Sequence, residues 1–531
     1  MDYLRRKVAT SWRQIGNSAV SSEYFLLQVS ETTDSTSNSL SPEDDAEITQ
    51  TEAQVAFKEG FPTSTGFFTN FLSRNPTART FLVALSPSFF HPPPNKTYKR
   101  LHSTDWLNGL RGVASLMVVF HHSSLLCYPE IMHGWGSTPQ NRLFVQLPLI
   151  RIFHSGSAMV AIFFIVSGFS LSYKPLKLIR NTRFTEVLDS LSSSVFRRQL
   201  RLILPAAAVT FFSMIATYVG WYGTGNPRQP PQFATLLENI ANWVHSVREL
   251  ADPFRPVVYP NGYNPIYDTN LWTIPVEFHG SMVIFLLLLG LARVYTPVRL
   301  LVLATTVLYL LYFAYTHLFL FISGVLLADL HHVREEYRKT RSPIESQHDL
   351  GSPDADPAML TRQSLGIKAF WLSNFLLAIF VASMPLIPYG ARTSPGYITL
   401  ASWIPPNYRA PFVEDHFWIF LAAVHLVLTV DNAKFLQSIF TTSFAQYLGK
   451  ISFALYLLHG TFLFTLGWNL YPKMLGFTGG EAGFQYAFGG LLTGCVLYPL
   501  LFWVSDVVAR LVDVRSVAFA RWLYVKVSVD I

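Results

Sequence analysis

Apolar runs of helix length recur along this chain from about residue 107 to its end, and polar loops separate them. Ten stretches are expected to be membrane spans, at roughly 108–127, 150–172, 202–221, 270–291, 298–315, 316–331, 368–388, 415–431, 450–469 and 484–509. The fifth and sixth are close enough together to form one broken unit. A transmembrane β-barrel would instead show short segments of alternating polarity, and these runs do not alternate. The expected fold is all-α: a polytopic transmembrane helical bundle of about ten spans.

Residues 1–104 read differently. They are polar and rich in Ser, Thr and Pro, with an acidic, serine-rich stretch from Ser30 to Glu52. They are expected to form a largely disordered tail, with Tyr24–Val29 and Phe81–Phe90 lying on the membrane surface. The domain division is then a tail over 1–104, a ten-helix membrane domain over 105–510 and a C-terminal tail over 511–531.

Loop charge orients the bundle. With the N-terminus cytoplasmic, the loop at 173–201 is cytoplasmic, and it carries Lys174, Lys177, Arg180, Arg183, Arg197, Arg198 and Arg201. The loop at 332–367, read as a flexible insertion, adds Arg334, Arg338, Lys339, Arg341 and Arg362. On the other side the long loop at 222–269 holds only Arg228, Arg248 and Arg255. That loop is rich in Pro, Gly, Asn and aromatics, which suits an ordered cap over a cavity. Both termini are expected to be cytoplasmic, in an endomembrane or the plasma membrane.

Composition narrows the function. Of 531 residues half are hydrophobic and only 14% charged, against about a quarter in soluble proteins. The net charge of +7 sits in loops beside apolar runs, so it marks membrane topology and lipid contact rather than nucleic-acid binding. Two cysteines, Cys127 and Cys495, exclude a disulfide framework and a cysteine-built metal site.

The first span, LNGLRGVASLMVVFHH from Leu107 to His122, carries the sharpest chemistry. Ionisable groups inside a membrane helix are costly, so they mark a functional path. Eleven residues at about 100° each return roughly to the starting face, so Arg111 and His122 share a face about 16 Å apart along the axis, and His121 points some 80° away. Snorkelling of Arg111 and an interfacial histidine are the structural alternatives.

Four further stretches matter. In AIFFIVSGFSLS (Ala161–Ser172), Ser167 and Gly168 offer a hydroxyl and a close backbone approach, with helix packing the commoner reason. In FRRQLRLILP (Phe196–Pro205), Arg197 and Arg201 share a face and Arg198 lies beside them. Paired guanidiniums suit the phosphates of a large anion, and lipid headgroups are the other reading. In NLWTIPVEFH (Asn270–His279), Glu277 lies too deep for a surface charge. It is read as a partner of Arg111, an orienter of a histidine, or a protonated donor, whereas His279 faces away from it. In YLGKISFALYLLHG (Tyr447–Gly460), Ser452, Tyr456 and His459 make one polar face with Lys450 at its mouth. A histidine base, a carboxylate and an arginine cluster suit transfer of an acyl group from a thioester to a hydroxyl.

These blocks, in this order and with LFLFISGVLLADL between them, resemble the acyltransferase-3 family of integral membrane O-acyltransferases, and most of all its fungal members. The resemblance covers residues 105 to about 460, with the ten-helix core running to about 510. It implies acyl-coenzyme A, with acetyl the expected acyl group, as a donor substrate on the cytoplasmic face. No permanently bound cofactor is implied. The implied acceptor is a hydroxyl on a sugar, lipid or secondary metabolite. The family's arginine, ten residues and histidine fall on Arg111 and His122, with His121 beside the expected base. Its basic motif falls on Arg197, Arg198 and Arg201, and its motif carboxylate on Glu277. The competing class is a proton-coupled transporter using the same His, Glu and Arg as a relay.

Overall fold

The computed structural model describes residues 85–88, 102–223, 226, 228–255, 265–348, 357–410, 413–479 and 483–529. Most of the expected N-terminal tail therefore lies outside the described residues. Among the described residues the chain is helical and has no strand.

Eight helical stretches are long and apolar enough to cross a membrane. They comprise α1 (Asp105–Cys127), α2 (Gly156–Arg180), α3 (Phe184–Tyr218), Thr269–Gly290, whose α-helical part is α5 (Thr273–Gly290), and α7 (Thr316–His348) over Thr316–Thr340. The rest are α8 (Pro357–Ala382) over Leu365–Ala382 and the stretches Ser443–Thr478 and Gly483–Val527. A ninth is the pair α9 (His416–Asn432) and α10 (Lys434–Phe440), bent by 108°. The expected span at 298–315 is the shorter α6 (Thr296–Tyr312), opened by a proline in its first turn. It is a helix separate from α7, so the ten apolar runs each have a helix. This is an integral, multi-pass membrane architecture.

Glycines set how closely the central helices approach. Lipid gives no hydrophobic drive for helices to meet, so association leans on backbone-to-backbone packing at small residues. Gly168 of α2 lies against the backbone of Phe321 and Gly324 on α7, and a Cβ on it would collide with the Phe321 carbonyl oxygen. On α1, Gly112 meets the backbone of Leu448 and Gly449 on α11 (Ser443–Phe462) in the same way. The Ser115 hydroxyl adds a bond to the Ser452 carbonyl at 3.0 Å. The helix carrying Arg111 is thus locked between α2 and α11.

Two π-turns, Leu463–Gly467 and Ala509–Asp513, interrupt the long C-terminal stretches without ending them. The first joins α11 to α12 (Trp468–Thr478), and the second joins α13 (Gly483–Val508) to α14 (Val514–Val527). The residues expected as a C-terminal tail are therefore helical to Val527 and pack on α3, where Tyr524 meets Phe196. Part of the stretch expected on the membrane surface also docks here. The Ser88 hydroxyl and amide both donate to Asp506, and the Trp503 indole donates to the Leu85 carbonyl.

The described part of the loop at 222–269 includes α4 (Leu236–Leu250), whose start is fixed by a Thr235–Glu238 capping box. The loop at 332–367 begins as a continuation of α7 to His348 rather than as coil. At that end of the bundle fully buried Asp329 on α7 joins Arg180 of α2 (2.7 Å) and Arg299 of α6 (2.7 Å). Buried Asp431 on α9 joins His331 and Arg334 of α7.

Candidate active site

At the end of the bundle where α2 finishes and α3 begins, a cavity of about 590 Å³ opens between α2, α3, α5, α11 and α14. Its cationic walls are Arg111, Lys174, Arg197, Arg198, Arg201, Lys450 and Arg521, against the carboxylates Glu277 and Asp513. Seven positive groups face two negative ones, an excess that would repel a cation and draw in a multiply charged anion. Deeper in, the walls turn apolar and aromatic with Val160, Phe163, Phe164, Ile274 and Tyr456.

Glu277 is held by two helices. Its Oε1 accepts from the Ser167 hydroxyl at 2.5 Å and from Arg198, with which it forms an ion pair. Arg198 is fixed in turn, because its Nε donates to the Ser281 hydroxyl at 2.8 Å. That hydroxyl donates to the Glu277 carbonyl one turn back at 2.6 Å. Arg111 does not pair with Glu277. Its guanidinium donates to Asn108 Oδ1 and to the Gly449 carbonyl, each at 3.0 Å, and this anchors α1 to α11 at the cavity wall.

Tyr456 ends the cavity. Its hydroxyl donates to the Asn270 carbonyl at 2.6 Å and meets the Thr273 hydroxyl at 2.8 Å. Behind it lie the histidines. The His459 ring is 5.5 Å from Tyr456, His122 is 5.1 Å from His459, and His121 is 5.0 Å from His122, all measured between ring centroids. His122 therefore faces the protein interior but is not among the cavity walls, where Arg111, Arg197, Arg198, Arg201 and Glu277 come together.

The two expected histidines differ in freedom. His121 Nδ1 bonds the His154 carbonyl at 2.8 Å, and its ring packs against Gly156, where an added Cβ would lie 2.5 Å from the ring. The His122 ring makes no hydrogen bond to any described residue, and it keeps some accessible surface. Beyond the pair, buried Asp268 lies beside the backbone at Gly460, and Arg228 stacks on Phe464 at 5.4 Å. Burial pushes the Asp268 carboxyl up to about 6, against the bond from the Asn270 amide and the nearby Arg228 charge.

Sequence reasoning did not find Lys174, Asp513 and Arg521 as cavity residues. The last two lie past the expected final span, although Asp513, Val517, Ala520, Arg521 and Tyr524 recur at helical spacing and line one wall. That period was the available signal.

The family profile described as an acyltransferase domain, that of acyltransferase 3, matches residues 104–510. The chain belongs to this family. Among curated proteins the acyltransferase is similar to the O-acetyltransferase PaAT-1 of Phomopsis amygdali, 38% identical over 84% of this chain and 89% of that protein. It is also similar to acyltransferase clz18 of Cochliobolus lunatus, 23% identical over 77% of this chain and 93% of that one. Acyltransferase R4 of a Phoma species is 24% identical over 75% and 92%. No solved structure matches the chain. The matched region holds α1 to α13, and α14 with Arg521 lies beyond it.

Proposed function

We propose that this membrane acyltransferase moves an acyl group, acetyl by preference, from acyl-coenzyme A to a hydroxyl of a sugar, lipid or secondary metabolite. The observation that carries the reading is the cavity with seven cations against two carboxylates and an apolar inner end. Coenzyme A presents a diphosphate and a further phosphate at one end and an uncharged pantetheine thioester at the other. Arg197, Arg201, Lys174 and Arg521 hold the phosphates, where guanidinium forks suit phosphate oxygens. The pantetheine runs past Arg111 toward Phe163 and Tyr456. Arg198 and Glu277 set the shape of the wall, Glu277 balancing the charge that faces the chain of the donor.

His122 is the general base. A neutral imidazole takes the acceptor's proton as its oxygen attacks the thioester carbon, and returns that proton to the leaving thiolate. Its place beside His459 behind the Tyr456 end of the cavity, one ring nearer than His121, supports this choice. The excess of loop cations at the cavity end supports placing that end and both termini in the cytoplasm, where acyl-coenzyme A is found.

Purified protein in detergent, given radiolabelled acetyl-coenzyme A and a cell-extract acceptor pool, tests the reading. Label transfer should be lost in His122→Ala and kept in His121→Ala. Absence of both transfer and donor binding in the parent protein would favour the proton-coupled transporter instead.

A further inference from the structure

We propose that His459 is a positioning residue for His122: its Nε2 accepts the N–H of the His122 ring and holds the base in one tautomer and orientation. The proposal rests on the acyl-transfer reading above.

The argument starts from a carbonyl. His459 is fully buried, and its Nδ1 lies 2.6 Å from the Tyr456 carbonyl oxygen. A carbonyl only accepts, so Nδ1 carries the hydrogen and Nε2 of the neutral ring is a bare lone pair. That Nε2 is buried with no partner among the described residues. A buried acceptor left unpaired is unfavourable, so the site is built to receive a donor.

His122 supplies it. The two ring centroids are 5.1 Å apart. Two imidazoles joined through one nitrogen each, at the ~3 Å of an ordinary hydrogen bond, have centroids about 5 Å apart. The spacing is already that of a bonded pair, and turning the His122 ring completes it. His121 cannot take this place, because its Nδ1 is committed to the His154 carbonyl and its ring is pressed on Gly156.

In the reaction one His122 nitrogen stays bonded to His459 while the other takes the acceptor hydroxyl proton. The hydroxyl oxygen bonds to the thioester carbon, the carbon–sulfur bond breaks, and the same proton passes to the departing sulfur. His459 neither gives nor gains a proton; it stabilises the imidazolium that forms on His122 by accepting its N–H.

Two substitutions separate orientation from scaffolding. His459→Asn can keep the bond to the Tyr456 carbonyl but loses the acceptor at the Nε2 place. His459→Gln places an acceptor there. Release of free coenzyme A thiol from acetyl-coenzyme A should fall roughly 30-fold in kcat for His459→Asn, with KM within about twofold. His459→Gln should stay within about fivefold of the parent. A His459→Asn protein that matches the parent overturns the proposal, and so does a folded His459→Gln protein as slow as His459→Asn. Carbethoxylation of His122 by diethyl pyrocarbonate, followed by mass spectrometry, reads the base without any acyl transfer. It should slow about tenfold in His459→Asn only, since a disordered imidazole is the poorer nucleophile. If the parent releases no coenzyme A, the acyl-transfer reading fails. Carbethoxylation then decides this proposal alone, with equal rates in parent and His459→Asn overturning it.

Discussion

Replacing Glu277 by glutamine separates a charge-balancing role from a chemical one. Glu277 is 18% exposed and Arg198 9%, so their ion pair is largely withdrawn from water but borders the cavity. Removing one partner of a buried pair costs about 3–5 kcal/mol. The cavity water and the amide oxygen that remains to accept from Arg198 and Ser167 bring the expectation to about 2 kcal/mol. The lost negative charge has a second effect. The excess of cations over carboxylates in the cavity rises by one, so a polyanionic donor binds more tightly by about 1 kcal/mol, or roughly fivefold. Glu277→Gln should therefore lower KM for acetyl-coenzyme A several-fold while kcat stays within about tenfold. Steady-state thiol release measures KM and kcat, and unfolding of the detergent-solubilised protein followed by tryptophan fluorescence measures the loss of stability. The double substitution Arg198→Met, Glu277→Met should be less damaging than the sum of its parts, because no charge is left unpaired. A hundredfold fall in kcat with unchanged KM and stability would refute this reasoning and place Glu277 on the reacting atoms.

Three further expectations follow from the same geometry. Arg521→Gln, made outside the family core, should raise KM for acetyl-coenzyme A about three- to tenfold and flatten its dependence on salt, since it removes one phosphate-facing cation. Gly168→Ala should destabilise the bundle by about 1–3 kcal/mol or more, read as faster thermal inactivation, because α2 would have to back away from the Phe321 carbonyl. Asp268, whose carboxyl is pushed up to about 6, makes stability fall as pH rises from about 4 through 6, because the folded protein holds its proton longer than the unfolded chain does. Asp268→Asn should remove that slope, on the order of 3 kcal/mol, and a pH titration of unfolding with no difference between parent and variant would contradict it.

The helices were legible because lipid imposes a simple rule: a spanning segment must satisfy its own backbone and show an apolar surface. Each apolar run accordingly has a helix. The arginine cluster at 197–201 and Glu277 were legible because charges are conspicuous in such a background, and they line one cavity. Their partners were not legible. Periodicity gives the face of a helix but not its neighbour, so nothing in the sequence chose Arg198 over Arg111 for Glu277, or set His459 behind His122. The C-terminal wall of the cavity was missed for a different reason. The π-turn at Ala509–Asp513 carries the helix past the end of its apolar run, and Arg521 on α14 reads as a charge beyond a finished span.

The buried knot of Arg180, Asp329 and Arg299 bears on how the chain is made. Asp329 and Arg299 sit on consecutive helices and are only 30 residues apart in sequence. As lone segments in a bilayer, α6 would carry an unpaired guanidinium one turn from its start and α7 an unpaired carboxylate, a group that costs about 2.5–3.5 kcal/mol at the centre of a membrane helix. α6 is also short, at 17 residues. Once the two helices fold back on each other, the charges neutralise one another and that cost largely disappears. The α6–α7 hairpin, and neither helix by itself, is thus the unit whose buried charges balance. Arg180 of α2 joins the same carboxylate and ties this hairpin to the rest of the bundle.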